Sequence, residues 1–311
     1  MGGGDSKPAV VHKEPVVYEE PVHREPVRPK TPPLVDPWRD MKGDWSSSFS
    51  ERLLSEIQKN ETGSDEVKNP GLLLLGPIKA GKSTFVNSIC SIGKGRLVNK
   101  AYTGAAAKSF TTSFKRFRGA GFLRNFRLCD TMGVEDGENE GFHVSDVVNL
   151  IEGHVKDTYK FNPRNPLTPE DPAYNPCPLA KEKTHCVIFV IDAVVLSSGS
   201  ISNDLKKKIK SLQDEIKVRN IPRVLILTKV DLLCEKVAKD VRNIFRSTKV
   251  QKAVKRAAEI FAIPESNIHP IKNYEGEIDI DPIINIPLLL ALRQIMHFAT
   301  DFLEEDDEDS D

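Results

Sequence analysis

LLLLGPIKAGKS, residues 72–83, joins an apolar run to the pattern G-x-x-x-x-G-K-[ST]. The leucines predict a buried strand, and a helix is expected to begin near Gly81. Glycines in such a loop let the backbone curl so that successive N–H groups point at phosphate oxygens, and the helix N-terminus adds its dipole. The segment therefore predicts a phosphate-binding loop between a strand and a helix.

Side-chain chemistry assigns roles within this loop. The Lys82 ammonium is expected to reach the terminal phosphates of a nucleotide, and the Ser83 hydroxyl to bind Mg²⁺. The nucleotide-binding residues predicted here are Gly76, Lys79, Ala80, Gly81, Lys82, Ser83 and Thr84.

Short apolar runs alternate with helical patterns on both sides of the loop. Strands are predicted at 113–117, 124–129, 186–191, 224–227 and 267–271, and helices at 143–154, 203–219, 237–261 and 287–302. This alternation is typical of a mostly parallel sheet wrapped by helices. Together with the loop, it predicts an α/β fold of the P-loop NTPase class.

A second motif, DTMG at residues 130–133, follows the third predicted strand. At the C-terminal edge of a strand, the Asp130 carboxylate can hold Mg²⁺ through water, and the Gly133 N–H can sense a γ-phosphate. Both residues are therefore assigned to the nucleotide site, and Asp130 also to the metal site.

A third motif, TKVD at residues 228–231, selects the base. An aspartate at the Asp231 position accepts two hydrogen bonds from guanine N1–H and its exocyclic amine, which adenine cannot supply. The Lys229 stem can cover the base face. With Thr228, these residues predict a guanine nucleotide bound with Mg²⁺; an ATPase is the more distant alternative.

Two parts of the site are less closely defined by the sequence. A switch threonine that closes over Mg²⁺ is expected between the first two motifs, where Thr111 and Thr112 are best placed and Thr103 is the spare. A threonine at a strand entry is the equal alternative. Asn273 is assigned to a final base-contacting loop, although the segment could be a plain connection.

The residue after Gly133 bears on catalysis. Small GTPases commonly place a water-orienting glutamine there, but here it is Val134, which cannot hydrogen-bond a water. Glu135, Asp136 and Glu138 are nearby carboxylates, for which a role in an acidic loop is the alternative. The pattern favours a slow GTPase switch, with a GTP-binding scaffold of little or no hydrolysis as the alternative.

The amino-acid composition bears on the classes of partner and on the cellular compartment to be expected. The chain has 44 Lys plus Arg against 45 Asp plus Glu, a net charge of -1, which argues against nucleic acid as a partner. Five cysteines at irregular spacing suit a reducing compartment, and no apolar run reaches the length of a membrane span. A soluble, cytoplasmic protein is expected.

The ends of the chain differ in composition from its middle. Residues 1–45 are proline-rich and predicted to be a disordered tail, either a plain spacer or a ligand for a proline-binding module. Residues 46–303 are predicted to form the nucleotide-binding domain, with a second proline-rich insert at 157–183, and residues 304–311 an acidic tail.

The N-terminal sequence MGGGDS fits M-G-x-x-x-[ST], the acceptor pattern for myristate on Gly2. An unmodified flexible end is the alternative. A single acyl chain gives only marginal attachment, so we expect weak, partial membrane association, strengthened if GTP-bound copies form a homo-oligomer through the GTPase domain.

The three motifs, the proline-rich segment near residues 163–178, DPWR at 36–39 and PIKNY at 270–274 resemble the interferon-induced protein 44 family. The resemblance covers about residues 36–303. It implies a Ras-like P-loop GTPase domain and a cytoplasmic, interferon-responsive role in antiviral immunity. Many members of the family carry an N-terminal TLDc-type domain, for which we expect no room here.

Lys79 is a candidate catalytic residue. It lies three residues before Lys82, where guanylate-binding proteins, which resemble this chain in the loop, carry an arginine finger in cis. A cation there could stabilise charge on the transferring phosphoryl group. A solvent-facing lysine is the alternative.

Overall fold

The computed structural model describes residues 2, 32, 34–101, 113–121, 123–135, 141, 143–157 and 159–308. Residues Pro33–Asp311 form one compact unit, and almost all of Met1–Pro32, the other unit, lies outside the described residues.

A six-stranded sheet forms the centre of the compact unit. Every neighbouring pair is parallel except β2 and β3, which are antiparallel. The order across the sheet is β2-β3-β1-β4-β5-β6, so consecutive parallel strands are joined by crossovers that contain helices. The strands are β1 Gly71–Leu75, β2 Lys115–Arg118, β3 Arg127–Asp130, β4 Cys186–Asp192, β5 Arg223–Thr228 and β6 Ile268–Pro270.

Helices cover both faces of this sheet. The central strands are almost entirely buried: β1 is buried along its whole length, and β4 and β5 at all but one residue each. This is why the central strands are continuous apolar runs. The predicted α/β P-loop fold is confirmed. The helices are α1 Ser47–Gln58, α2 Lys82–Lys94, α3 Val144–Glu152, α4 Ala193–Ser198, α5 Asn203–Val218, α6 Val230–Leu233, α7 Glu235–Lys239, α8 Thr248–Phe261 and α9 Pro282–Glu308, with short 3-10 helices at Ala180–Glu182, Val241–Arg246 and Glu265–Asn267.

The single helix predicted at 237–261 is wrong. The chain there forms α7, a 3-10 helix and α8, because two side chains cap new helices within it. Asp240 accepts a hydrogen bond from the Arg242 N–H at 3.0 Å, and Ser247 accepts one from the Val250 N–H. Such capping residues favour helix ends over helix interiors.

The last helix, α9, is longer than predicted at both ends, because it begins at Pro282 and runs on into the acidic residues assigned to a tail. Within the described residues it is the one helix whose length and composition would allow it to cross a membrane, a property that the search for apolar runs missed. Burial explains its composition, since 67% of the candidate stretch lies inside the domain.

Part of the predicted N-terminal tail is packed on the domain. The Trp38 N–H donates to the Phe245 carbonyl at 2.8 Å, and the two rings meet edge to face. The Arg39 Nη1 donates to the Ile268 carbonyl at 2.6 Å. Residues 34–45 therefore belong to the compact unit, and its boundary lies before residue 46.

The proline-rich insert is held at defined points. Val155 forms a β-bridge with Tyr174, and the Leu167 N–H donates to the buried Asp146 carboxylate at 2.8 Å. These contacts fasten an irregular segment to α3, on the side of the domain that carries β2 and β3.

Candidate nucleotide-binding site

The C-terminal ends of β1, β3, β4 and β5 meet at one edge of the sheet, where open α/β sheets bind their ligands. The loop between β1 and α2 lies at this edge and contains the G-x-x-x-x-G-K-[ST] pattern. A Cβ atom on Gly76 would lie 2.1 Å from the Val190 carbonyl oxygen. Only glycine permits this close approach of the loop to β4.

Gly81 ends the loop in the left-handed region, with φ of 98°. Its Cβ position lies 3.3 Å from Thr228, so a side chain would also press on β5. Glycine at this position lets α2 begin at Lys82, with its first N–H groups directed toward the loop.

The Lys82 side chain folds back into the loop. Its Nζ donates to the Gly76 carbonyl at 2.9 Å and to the Pro77 carbonyl at 3.0 Å. Burial lowers the pKa of Lys82 to about 8, an effect that the Asp130 carboxylate opposes. The ammonium is therefore held where a bound anion would stabilise its charge.

Asp130 and Ser83 form the second part of the site. The Ser83 hydroxyl donates to Asp130 Oδ2 at 2.8 Å. Burial raises the pKa of Asp130, while Lys82 and Ser83 act in the opposite direction. Asp130 Oδ1 is buried and has no hydrogen-bond partner among the described residues.

This donor set fits Mg²⁺, which prefers hydroxyl and carboxylate oxygens. The unsatisfied Oδ1 atom is the observation that supports the fit, since a buried acceptor without a partner is costly. Thr111, Thr112 and Thr103, the candidates for a further metal ligand, lie outside the described residues.

Gly133 and Val134 pack directly on the phosphate loop. The Val134 N–H donates to the Gly76 carbonyl at 2.9 Å. A Cβ atom on Gly133 would lie 2.5 Å from Ile78, so glycine is required at this contact. The Val134 side chain is 2% exposed, and it therefore packs in the core instead of facing a substrate water.

Of the carboxylates that follow, Asp136 and Glu138 lie outside the described residues. The Glu135 carbonyl accepts a hydrogen bond from Lys208 Nζ at 3.2 Å, which ties this loop to α5.

Thr228 and Lys229 bind the phosphate loop. They belong to residues 228–231, the segment predicted to select the base, which is called the base loop below. The Thr228 hydroxyl donates to the Ala80 carbonyl at 2.6 Å and also lies 3.2 Å from the Ile191 carbonyl. Lys229 Nζ donates to the Lys79 carbonyl at 2.8 Å. The Thr228 hydroxyl is thus paired with backbone carbonyl groups, and the role of this side chain is to hold the phosphate loop in place.

Asp231, in the first turn of α6, is half-buried. Its carboxylate accepts no hydrogen bond from any residue that the structure describes. Among the described residues, nothing therefore occupies the two oxygens that are expected to accept hydrogen bonds from guanine.

Asn273 follows β6 and is 8% exposed. Its Oδ1 atom is buried without a hydrogen-bond partner in the described part of the chain. The next residue anchors this loop to α2, because the Tyr274 N–H donates to Ser88 Oγ at 3.1 Å. The loop thus lies on the helix that follows the phosphate loop.

Lys79 adopts a left-handed backbone conformation, with φ of 61°, and its side chain is exposed. Its carbonyl oxygen is the acceptor for Lys229, so the backbone of Lys79 is part of the site whatever its side chain does.

Sequence reasoning missed Asp192, the last residue of β4. Its Oδ2 accepts a hydrogen bond from Lys229 Nζ at 2.8 Å. The available signal was an acidic residue that interrupts an apolar run at the C-terminal end of a strand.

A phosphate loop, a buried aspartate at the end of β3 and TKVD at the end of β5 together define a P-loop GTPase domain. The model of the 50S ribosome-binding GTPase family matches residues 72–229, about half of the chain. The protein belongs to this family.

Curated relatives confirm the resemblance seen in the sequence. The chain is 34% identical to human interferon-induced protein 44-like over 258 residues, which is 82% of this chain and 57% of that protein. It is 32% identical to mouse interferon-induced protein 44 over 257 residues, 81% of this chain and 60% of that protein. The chain thus spans under two thirds of the length of these relatives.

Solved structures with a similar fold are more distant. Toc33 from Arabidopsis thaliana, in complex with GDP and Mg²⁺, is 16% identical with a TM-score of 0.40, over 83% of this chain and 97% of that chain. Era, in complex with MgGDPNP and a 16S ribosomal RNA fragment, is 18% identical with a TM-score of 0.32, over 66% of this chain and 51% of that chain.

Proposed function

We propose that this protein is a guanine-nucleotide switch with slow GTP hydrolysis, acting in the interferon-induced antiviral response. The observation that carries the guanine assignment is the open carboxylate of Asp231, in a loop that Thr228 and Lys229 clamp to the phosphate loop. The interferon-linked role is supported by the names of the relatives, interferon-induced protein 44 and its 44-like counterpart.

Each part of the site has a task in nucleotide binding. The Lys82 ammonium and the backbone of residues 76–81 would hold the β- and γ-phosphates. Ser83 and Asp130 would hold Mg²⁺, which when bound supplies positive charge between the phosphates. Asp231 would accept two hydrogen bonds from guanine, the Lys229 stem would cover the base face, and Asn273 would contact the base from the β6 side.

Slow hydrolysis is supported by the burial of Val134. A buried valine after Gly133 has no group that could orient a nucleophilic water, so hydrolysis must recruit another side chain or a partner. Lys79 is the candidate within this chain, because it is exposed and its backbone borders the phosphate site. A cation there would stabilise charge on the transferring phosphoryl group.

Turnover of GTP and ATP by the purified protein, measured side by side, tests this function. A switch binds GTP in preference to ATP and releases phosphate slowly, and Lys79→Ala lowers that rate without changing GTP affinity. GTP binding without phosphate release would favour the scaffold, and equal binding of ATP would contradict the guanine assignment.

We further propose a mainly cytoplasmic protein with weak membrane association through a myristoylated Gly2, which self-association of GTP-bound copies would strengthen. Intact-mass measurement of protein from eukaryotic cells tests the modification. An unmodified N-terminus, or membrane recovery unaffected by Gly2→Ala, would contradict it.

A further inference from the structure

Asp192 is the last residue of β4, and its side chain is 13% exposed. It lies at the edge of the sheet where the phosphate loop and the base loop meet; these two loops are called the nucleotide loops below. Both carboxylate oxygens have partners. Oδ1 accepts from the N–H groups of Val194 at 2.8 Å and Val195 at 3.2 Å, which caps the N-terminus of α4. Oδ2 accepts from Lys229 Nζ at 2.8 Å. One carboxylate thus joins β4, α4 and the base loop.

Lys229 depends on its partners for its orientation. Its backbone φ is 57°, in the left-handed region that residues other than glycine rarely adopt. Its Nζ donates to the Lys79 carbonyl and to the Asp192 carboxylate, each at 2.8 Å. The carboxylate is the charged one of the pair, and a charge-assisted hydrogen bond is stronger than a neutral one.

We infer that Asp192 is a positioning residue of the nucleotide site. It holds the Lys229 ammonium against the phosphate loop and thereby sets the lysine stem over the place of the base, which slows nucleotide release. This inference rests on the proposed guanine-nucleotide function, because the effect is exerted on the bound nucleotide.

Two variants separate the pairing with Lys229 from the capping of α4. Asp192→Ser retains an oxygen that can cap a helix, but its side chain is too short to reach Lys229. Asp192→Asn retains a capping oxygen and turns an uncharged amide toward the ammonium. In both, α4 keeps its cap while Lys229 loses its carboxylate.

Asp240 provides a matched control. It also caps a helix, by accepting from the Arg242 N–H at 3.0 Å, and it also pairs with a cation, Arg242 Nε at 2.9 Å. Neither partner belongs to the nucleotide loops, so Asp240→Asn makes the same chemical change elsewhere.

The experiment measures release of a fluorescent GDP analogue after addition of excess GDP. We expect release about tenfold faster in Asp192→Ser and Asp192→Asn, the size that follows from the loss of one hydrogen bond to a charged group. Asp240→Asn should match the wild type. In a Lys229→Met background, Asp192→Ser should not accelerate release any further, because its partner Lys229 is absent. If release from the Lys229→Met protein is too fast to follow, the affinity for GDP, measured by calorimetry, is compared instead.

Wild-type release rates in both Asp192 variants would overturn this inference alone. A full additional effect of Asp192→Ser in the Lys229→Met background would overturn it too, because the effect would then come from α4. Wild-type protein that binds no GDP would overturn the proposed function together with the inference.

Discussion

In the proposed function, nucleotide choice depends on Asp231, whose half-buried carboxylate accepts no hydrogen bond within the described residues. Asp231→Asn replaces one acceptor by a donor. We expect GTP affinity to fall by about tenfold to a hundredfold, the range for a bidentate contact to a base, and XTP to bind better, since its 2-oxo group accepts from the amide. Competition binding measures both; an unchanged GTP-to-XTP preference would contradict the role of Asp231.

His185 is a buried residue that links stability to pH. Its Nδ1 accepts from the Gly71 N–H at 2.8 Å, and burial lowers its pKa to about 4, with Arg127 acting in the same direction. In the unfolded chain the pKa is about 6.5. Between pH 6.5 and pH 4, the unfolded chain therefore binds a proton at His185 that the folded protein does not bind. Stability from this group is complete above pH 6.5 and is lost as the pH falls toward 4.

The corresponding variant is His185→Asn, whose side-chain oxygen can accept from Gly71 without titrating. Between pH 7 and pH 5, the wild type should lose about 2 kcal/mol more of its free energy of unfolding than the variant. Urea unfolding at the two pH values measures this difference. Parallel losses in the two proteins would show that His185 is protonated in the fold.

At the scale of elements, α1 is a helix that the sequence motifs did not reveal. Ser46 caps it by accepting from the Phe49 N–H at 3.1 Å, and its apolar face packs on α9. Leu53, on that face, is fully buried. Leu53→Ala should lower the free energy of unfolding by about 2–5 kcal/mol through loss of burial and formation of a cavity.

Val218→Ala, at the exposed end of α5, is the control for this change, because Val218 is 80% exposed. It should alter the free energy of unfolding by less than about 0.5 kcal/mol. Chemical denaturation measures both variants, and a Leu53→Ala protein as stable as the control would mean that α1 is not docked on α9.

At the scale of the whole molecule, the compact unit starts before the predicted domain boundary. Residues 34–45 contact the 3-10 helix at Val241–Arg246 and the start of β6 through Trp38 and Arg39. Deletion of residues 1–33 should leave the thermal midpoint unchanged. Deletion of residues 1–45 should lower it by about 4–8 °C if the lost packing contributes about 2 kcal/mol. Calorimetry compares the two truncated proteins, and equal midpoints would place the boundary at residue 46.

The sequence by itself determined the phosphate loop, the two following motifs and the alternation of strands and helices. Each of these features can be recognised within a short, contiguous segment: a glycine-containing loop pattern, an apolar run, and a carboxylate that directly follows such a run. Local patterns are sufficient because the backbone geometry of a short segment depends mainly on its own residues.

Only the tertiary structure decided the contacts between segments distant in the chain. Asp192 meets Lys229 because β4 and β5 are neighbours in the sheet, and Lys229 reaches the Lys79 carbonyl, 150 positions away, because β1 lies on the other side of β4. The end of α7, within the single helix predicted at 237–261, likewise follows from the structure alone, because only there are the Asp240 and Ser247 side chains seen to accept from backbone N–H groups. Such pairings depend on strand order and side-chain direction, which no single segment of sequence contains.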